Sequence, residues 1–187
     1  MSSTIGVQNI AHTNGTNAMT ISSGGVTTFT TDPFNSVIEV WDYGTSNASI
    51  ANATVLSGWA RQTSGLLPNK NGGMSESSGI WTFPSTGVWS ASIQWNIYAT
   101  GAVPWAGIQI FQTENNSSYT AVRSAYTNIY GNGIYSNLVM NYIVNITNTS
   151  NQKIKFQTNT ASNVLVQTTG SGSASTFVQF IKLCPSV

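Results

Sequence analysis

Charged residues are scarce in this chain. Among 187 residues there are six Lys or Arg and five Asp or Glu, so 6% are charged and the formal net charge is +1, against roughly a quarter charged in ordinary soluble domains. Nucleic acid and anionic membranes are recognised by clustered Lys and Arg, so this composition excludes both as electrostatic partners. A weakly charged surface lacks the repulsion that keeps monomers apart, which suits an assembled protein as well as a plain polar exterior.

Cysteine and long hydrophobic runs are also missing. The single cysteine, Cys184, excludes an intrachain disulfide framework, and we expect a reduced thiol there. No Lys or Arg precedes Arg61 and no long apolar run follows Met1, so the sequence predicts neither a secretory signal nor a transmembrane helix. We therefore expect a complete translation product made in a cytoplasm, without membrane insertion.

Five carboxylates and one histidine leave little material for catalysis or metal binding. Glu39 and Asp42 are the acidic residues close in sequence, and a spacing of three on a strand puts their side chains on opposite faces. We interpret both as surface residues rather than as an acid–base pair. His12 has no nearby His or Cys, although three copies could converge on a threefold axis. The sequence thus predicts a protein that is not an enzyme, with no cofactor and no metal site.

Alternating apolar residues are the strongest positive signal, above all between Gly79 and Ala99. Pro84 and Gly87 bracket a short polar turn, because proline fixes φ and glycine accepts the backbone angles of a tight reversal. After this turn, apolar residues occupy every second position: Trp89, Ala91, Ile93, Trp95 and Ile97. This alternation predicts a half-buried strand. The tryptophans expected in the core or at a subunit interface are Trp81, Trp89 and Trp95.

Short strands separated by turn signals fill the rest of the chain, and no stretch has a helical period. They are predicted at Ser36–Tyr43, Ala53–Gln62, Gly79–Phe83, Val88–Tyr98, Trp105–Thr113, Thr120–Asn128, Ser136–Thr147, Lys153–Thr158 and Thr176–Leu183. In one of them, Ser136–Thr147, the residues predicted to face inward are Leu138, Met140, Tyr142, Val144 and Ile146. Such a series favours an all-β sandwich.

Residues 1–33 differ from the rest in having shorter apolar stretches. Asn14-Gly15 and Ser23-Gly24-Gly25 are typical of hairpin turns between strands too short to make a core alone. Asp32-Pro33 favours a turn and marks a boundary. The sequence therefore predicts a short N-terminal β attachment segment at 1–33 and a head domain at 34–187.

The block Phe83-Pro84 and Gly87-Val88-Trp89, with the terminal strand FVQFIKL, resembles the globular heads of the complement and tumour-necrosis-factor superfamily. The resemblance covers Asn35 to Cys184 and implies a jelly-roll β-sandwich that forms a homotrimer. Trp89 stands where the family commonly has Tyr or Phe, so no calcium or ligand site is carried over. The N-terminal segment resembles attachment or shaft elements of bacteriophage fibres and other virion proteins, in which three chains interlock.

Candidate ligand residues follow from this topology. If both termini lie at an attached base, alternate connections fall at the far end: Thr100–Pro104, Ile129–Tyr135 and Thr168–Ser175. The aromatic residues presented there are Tyr98, Trp105, Tyr130 and Tyr135. Exposed rings match the apolar face of a pyranose, amides satisfy its hydroxyls, and loops on a rigid sandwich commonly carry recognition. We predict that these four residues contact a host surface glycan.

These expectations describe a trimeric virion structural protein of a bacteriophage, such as a fibre, spike or capsid decoration. Its partners would be its own copies, capsid or tail proteins through the N-terminal segment, and a host glycan. Two alternatives stay open. A secreted complement-like lectin or adhesin is disfavoured by the missing signal sequence, and a glycan-cleaving spike enzyme by the scarcity of paired carboxylates.

Overall fold

The computed structural model describes residues 9–11, 17–29, 37–44, 48–62, 72–166 and 176–187. The chain divides into two compact units, Met1–Asn35 and Ser36–Val187. Within the described ranges all regular elements are β-strands, and no helix there is long and apolar enough to cross a membrane. The predicted boundary at Asp32-Pro33, the turn at Asn14-Gly15 and His12 lie outside the described residues.

The first unit contains a three-stranded antiparallel sheet. Its strands are β1 (Asn9–Ala11), β2 (Asn17–Ile21) and β3 (Thr27–Phe29), in that spatial order. The predicted turn at Ser23-Gly24-Gly25 joins β2 to β3, and the Gly25 N–H donates to the Ser22 carbonyl at 2.9 Å. Gly25 has a φ of 78°, which favours glycine. The hairpin expected at this turn is confirmed.

The second unit is a sandwich of two antiparallel sheets. Its strands are β4 (Ile38–Tyr43), β5 (Ala48–Ile50), β6 (Trp59–Arg61), β7 (Ser75–Ser77), β8 (Ile80–Thr82), β9 (Gly87–Ala99), β10 (Val103–Thr113), β11 (Thr120–Ile129), β12 (Ile134–Ile146), β13 (Lys153–Thr160), β14 (Val164–Val166) and β15 (Phe177–Cys184). The five-stranded sheet has the order β11-β10-β13-β8-β7. The seven-stranded sheet has the order β5-β14-β9-β15-β4-β6, with β12 paired to β9. The predicted all-β jelly-roll sandwich is confirmed.

The core lies between the two sheets and is rich in aromatic rings. Trp81, Trp89 and Trp95 are fully buried, as predicted from the alternating pattern. Trp81 packs on Phe180 with 4.7 Å between ring centroids, and Phe83 on Trp89 with 5.3 Å. The inward residues of β12 also match the prediction, being buried or packed against the core: Leu138, Met140, Tyr142, Val144 and Ile146.

The turn before β9 requires glycine for two reasons. Gly87 has a φ of 151°, a backbone conformation that residues with a Cβ rarely adopt. A Cβ at this position would also lie 2.5 Å from Cε of Lys182 and 2.8 Å from the carbonyl oxygen of Cys184. The last strand therefore passes close against the start of β9 because residue 87 has no side chain.

The shortest strands differ from the prediction. The segment Ala53–Gln62 holds only the three-residue β6, because Ala53 and Gly58 have positive φ values of 57° and 83° that interrupt an extended chain. β5, β7 and β14 were not predicted, and each has three residues. Three residues show too little alternation to be recognised, so these strands depend on pairing with their neighbours.

Strand register places the two termini of the sandwich at one end. Lys182 donates its N–H to the Val37 carbonyl at 2.9 Å, and Cys184 pairs with Val88. Ala99 pairs with Ile134 at the opposite end, which we call the distal end. The connections Thr100–Pro104 and Ile129–Tyr135 lie there as predicted, and Thr168–Ser175 lies outside the described residues.

Candidate functional site

Two of the four predicted ligand residues form a pair on the seven-stranded sheet. Tyr98 of β9 stands opposite Tyr135 of β12, and their ring centroids are 5.4 Å apart at an interplanar angle of 36°. Ile97 and Ala99 point into the core, so the Tyr98 side chain projects from the outer face of this sheet. The structure therefore brings Tyr98 and Tyr135 together near the distal end.

Trp105 lies on the other sheet, away from that pair. It belongs to β10 and is 40% exposed, whereas the next residue, Ala106, is fully buried in the core. The Trp105 ring contacts Tyr126 of β11, with 6.2 Å between centroids and 77° between planes. Trp105 and the Tyr98–Tyr135 pair therefore do not form one surface, because β9 and β10 belong to different sheets and present their outward side chains on opposite sides of the sandwich.

Tyr130 occupies the distal tip between the two sheets. It directly follows β11 and is 79% exposed. The turn after it is held by a hydrogen bond from the Gly133 N–H to the Ala99 carbonyl at 2.8 Å, and Gly133 has a φ of 69°. Tyr130 is therefore presented to solvent by the connection between β11 and β12, which belong to different sheets, and lies apart from both aromatic pairs.

Sequence reasoning missed Tyr126, whose ring lies beside Trp105 on the outer face of the five-stranded sheet and is held there by its neighbours. It stands directly across from Gly107 in the β10–β11 register. A Cβ on residue 107 would lie 2.3 Å from Cδ1 of Tyr126, so the ring occupies the space that a side chain there would fill. The signal available in the sequence was an isolated glycine inside an alternating strand, which often marks a close approach.

Amide side chains hold the Tyr126 hydroxyl. Asn159 Nδ2 donates to it at 2.9 Å, and Gln109 Nε2 lies 3.5 Å from it while donating to Ser124 Oγ at 3.0 Å. All four residues project from the outer face of the five-stranded sheet, where Asn159 and Tyr126 flank Gly107 on its two neighbouring strands. The Tyr126 ring thus lies against Gly107 of the sheet, and its hydroxyl is held by Asn159 and Gln109.

The outer face of the seven-stranded sheet carries exposed aliphatic side chains that were also missed. Val139 and Ile143 of β12 are 69% and 61% exposed. They alternate with the predicted outward asparagines, which are Asn137, Asn141 and Asn145. Their neighbours across β9 are Gln94 and Ser90. Val139 and Ile143 lie four residues apart with Asn141 between them, so this face combines exposed aliphatic groups with amides.

Glu39 is not a surface residue, which corrects the interpretation made from the sequence. Its side chain is fully buried and forms an ion pair with Arg61, with 3.1 Å between the carboxylate and Nε. Trp41 Nε1 donates to the carboxylate at 2.9 Å, and the backbone N–H groups of Gly73 and Met74 also donate to it. The carboxylate therefore holds the backbone of Gly73 and Met74 against β4.

Asp42 does point to the face opposite Glu39, as its spacing predicted. It is half-buried, and this burial raises the pKa of its carboxyl. The two carboxyls are thus separated by the sheet and share no site. In the described part of the chain, no group of three His, Cys, Asp or Glu residues could hold a metal ion.

A cavity of about 400 Å³ opens beside the β10–β11 connection, at the end opposite the distal loops. Its lining consists of Gln112, Glu114, Asn115, Ser118, Thr120, Val122 and Tyr142. Gln112 and Gln152 donate to the Glu114 carboxylate, and the Tyr142 hydroxyl donates to Gln112. Burial raises the pKa of Tyr142, Arg123 lowers it and Glu114 raises it. The polar groups of this cavity largely satisfy one another.

The strand orders of the two sheets define a jelly roll of the tumour-necrosis-factor type. Murine APRIL at pH 5.0 superposes with a TM-score of 0.56 at 11% identity, over 79% of this chain and 99% of that chain. Eiger TNF from S. frugiperda superposes with a TM-score of 0.60 at 10% identity, over 83% and 96%. At such identities the likeness shows the fold alone. No protein-family model and no curated protein matches the sequence.

Proposed function

We propose that the chain is a homotrimeric virion structural protein, a fibre, spike or capsid decoration of a bacteriophage, whose head is formed by residues 34–187. The observation that carries the proposal is the exposed aliphatic face of the seven-stranded sheet around Val139 and Ile143. The resemblance to the complement and tumour-necrosis-factor heads favours threefold assembly. The likeness of the N-terminal segment to phage fibre elements favours a virion.

Self-association through this face agrees with its chemistry. β9 and β12 contain no charged residue, so two copies meet without repulsion or desolvated ions. Burying a Val or Ile side chain fully contributes about 1.5–3 kcal/mol, and each copy offers both residues. The asparagines between them can hydrogen-bond across the contact, as Ser90 Oγ already does to Asn141 Oδ1 at 3.2 Å within one chain.

A paired charge substitution on this face should dissociate the trimer. We expect Val139→Glu with Ile143→Glu to reduce the mass measured by light scattering from three chains to one, because carboxylates cannot be buried in an aliphatic contact. The melting curve of the separated chain should stay cooperative, since both side chains are exposed in the monomer.

The assembly of the wild-type protein should not change between low and high salt, because the proposed contact contains few ion pairs.

The matched control adds the same charge to the five-stranded sheet. Ala121→Glu with Asn128→Glu changes two exposed residues of β11 and should leave the trimer intact. A monomeric wild type at micromolar concentration would contradict the proposed assembly. A glutamate variant of β12 that remains trimeric would show that another face mediates it.

The proposal divides attachment from recognition. Capsid or tail proteins would hold the N-terminal segment, and the aromatic residues near the distal end would contact host glycans. The residues proposed for that contact are Tyr98, Trp105, Tyr130 and Tyr135. Their exposure supports this role, since three of the four are among the exposed large apolar side chains. We propose binding rather than catalysis, because donors already surround the Glu39 carboxylate.

Deletion of Met1–Thr31 tests the attachment role. We expect a soluble head that melts close to the full-length temperature, because the second unit has its own core and forms a separate compact unit. The truncated protein should be missing from purified virions, as measured by immunoblot against the full-length protein expressed at the same level. An insoluble head would make the first segment part of the core, and normal incorporation would place the anchor in the head.

A further inference from the structure

We propose that the outer face of the five-stranded sheet carries a binding corner for a neutral pyranose ring. The corner is formed by Trp105 and Tyr126 and bordered by Gln109 and Asn159. This inference rests on the proposed glycan binding and assigns it to one face of the sandwich. Three of these four residues are outside the set predicted from the sequence.

The position of the Tyr126 ring is determined by the residue beneath it. Gly107 lies opposite Tyr126, and a Cβ there would be 2.3 Å from Cδ1 and 2.6 Å from Cε1 of the ring. Gly107 does not have a positive φ, so its own φ does not require glycine, but a Cβ there would also lie 2.8 Å from the carbonyl oxygen of Ala125. Glycine is needed at this position for the space it leaves, and that space seats the ring against the sheet.

The polar end of Tyr126 is oriented for a ligand. Its oxygen accepts a hydrogen bond from Asn159 Nδ2 at 2.9 Å, so its own proton remains to be donated. Gln109 Nε2 lies 3.5 Å from the same oxygen and is held by Ser124 Oγ. A phenol and two amides at one edge of an apolar ring match the equatorial hydroxyls that border the apolar face of a pyranose.

Trp105 supplies a second wall. Its ring stands at 77° to the Tyr126 ring with 6.2 Å between centroids, and the two side chains are 40% and 49% exposed. Two accessible rings at nearly a right angle form a corner in which a sugar stacks on one ring and contacts the other with its edge. Most of this arrangement exists before binding, so little side-chain entropy is lost.

The corner selects a neutral ligand. The residues around Tyr126 are uncharged, namely Asn159 and Gln157 of β13, Gln109 of β10 and Ser124 of the same strand, β11. The nearest cation along β13 is Lys155, whose ammonium lies 5.2 Å from the Phe111 ring and 4.7 Å from the Tyr119 ring. Since these rings already engage the cation, we infer a neutral hexose rather than a sialic or uronic acid.

This face stays accessible in the proposed assembly. Val139 and Ile143 project from the seven-stranded sheet, and Trp105 and Tyr126 project from the opposite side of the sandwich. Assembly and sugar binding therefore use separate surfaces of one head, and substitutions in one can be tested without disturbing the other.

The test uses the full-length protein with methyl glycosides of glucose, galactose, mannose and N-acetylglucosamine. Saturation-transfer NMR should show contact with the ring C–H protons of at least one of them, and a titration should quench tryptophan fluorescence through Trp105. Tyr126→Ala and Trp105→Ala should each weaken binding by about tenfold. Tyr126→Phe, which keeps the ring and removes the hydroxyl, should weaken it by a smaller factor of about three to ten.

Gly107→Ala tests whether sugar binding depends on the position of the Tyr126 ring rather than only on the presence of exposed aromatic side chains. It removes no group that touches the sugar, yet the added methyl displaces the Tyr126 ring, so binding should fall as far as in Tyr126→Ala. The control is Leu183→Ala, which removes an exposed apolar side chain of β15 outside both aromatic pairs and should retain wild-type affinity for these glycosides. Light scattering and melting curves should be unchanged for the Tyr126→Phe variant and the control.

The outcomes separate this inference from the function on which it rests. If no neutral glycoside and no host-cell glycan binds the wild type, the proposed glycan binding is wrong and the corner with it. If a glycoside binds but Tyr126→Phe and Gly107→Ala have no effect, while Tyr98→Ala with Tyr135→Ala abolishes binding, the sugar binds at the other aromatic pair and only the corner is wrong. Sialylated or uronic glycosides binding better than neutral ones would overturn the ligand class.

Discussion

Trp95→Ala is expected to lower the free energy of unfolding by roughly 3–5 kcal/mol, the cost of truncating a large aromatic side chain in a core. Trp95 is fully buried at the centre of β9, the strand that pairs with β12, β14 and β15. A typical domain has only about 5–15 kcal/mol of stability, so this loss consumes much of the total. Urea denaturation followed by circular dichroism measures it.

Trp105→Ala is the matched comparison, because it removes the same side chain from an exposed position on β10. We expect a loss below about 1 kcal/mol. Trp95→Phe gives a third point: Trp95 Nε1 is buried without a hydrogen-bond partner among the described residues, so phenylalanine leaves no acceptor unsatisfied. Its cost should fall between the other two. Equal stability of both alanine variants and the wild type would mean that the faces of β9 and β10 are wrongly assigned.

Glu39→Ala is expected to destabilise the head by roughly 2–5 kcal/mol, because it removes the acceptor of several hydrogen-bond donors. The substitution leaves Arg61 without its ion-pair partner and the Trp41 indole and Met74 backbone N–H groups without an acceptor. Buried donors that lose their partner cost about 1–3 kcal/mol each. Thermal and urea melts of the alanine variant measure the total.

The local effect should be visible separately. Hydrogen exchange at the Gly73 and Met74 amides should accelerate in Glu39→Ala, because both donate to this carboxylate. Glu39→Gln keeps one oxygen acceptor and the side-chain shape, so it should be less destabilising than alanine. If the alanine variant melts at the wild-type temperature with unchanged exchange at these amides, the carboxylate does not hold this part of the chain.

The long strands were predictable because one face of each is buried. Apolar and polar residues alternate along the whole of β9. If its pairing register shifted by one residue, Trp89 and Trp95 would both face solvent, so the sequence specifies which face is inward. β12 was harder, since Val139 and Ile143 are apolar on a face that its asparagines indicate is polar. Its inward residues were assigned correctly, and its outward aliphatic residues were not recognised as a separate surface.

The buried carboxylate and the aromatic corner could not be predicted because both depend on contacts between distant residues. Nothing local to Glu39 indicates that Arg61 and Met74 lie against it, which is why the sequence led to its interpretation as a surface residue. The partnership of Gly107 with Tyr126 depends on the exact register between β10 and β11, which a β-bulge shifts near Val103. The sequence pattern therefore predicts where strands lie more readily than it predicts the register in which they pair.

The opposed outer faces of the sandwich have a consequence for how strongly a particle could adhere. A trimer built through the seven-stranded sheets would display three copies of the Trp105 and Tyr126 corner around its periphery. Once one corner has bound a sugar on a surface, the other two corners are at a high effective concentration relative to neighbouring sugars. The avidity of the trimer can then exceed the affinity of a single site by about 10²–10⁴. Residues around the corner can also diverge without altering subunit contacts, so that sugar preference is free to change while the head still assembles.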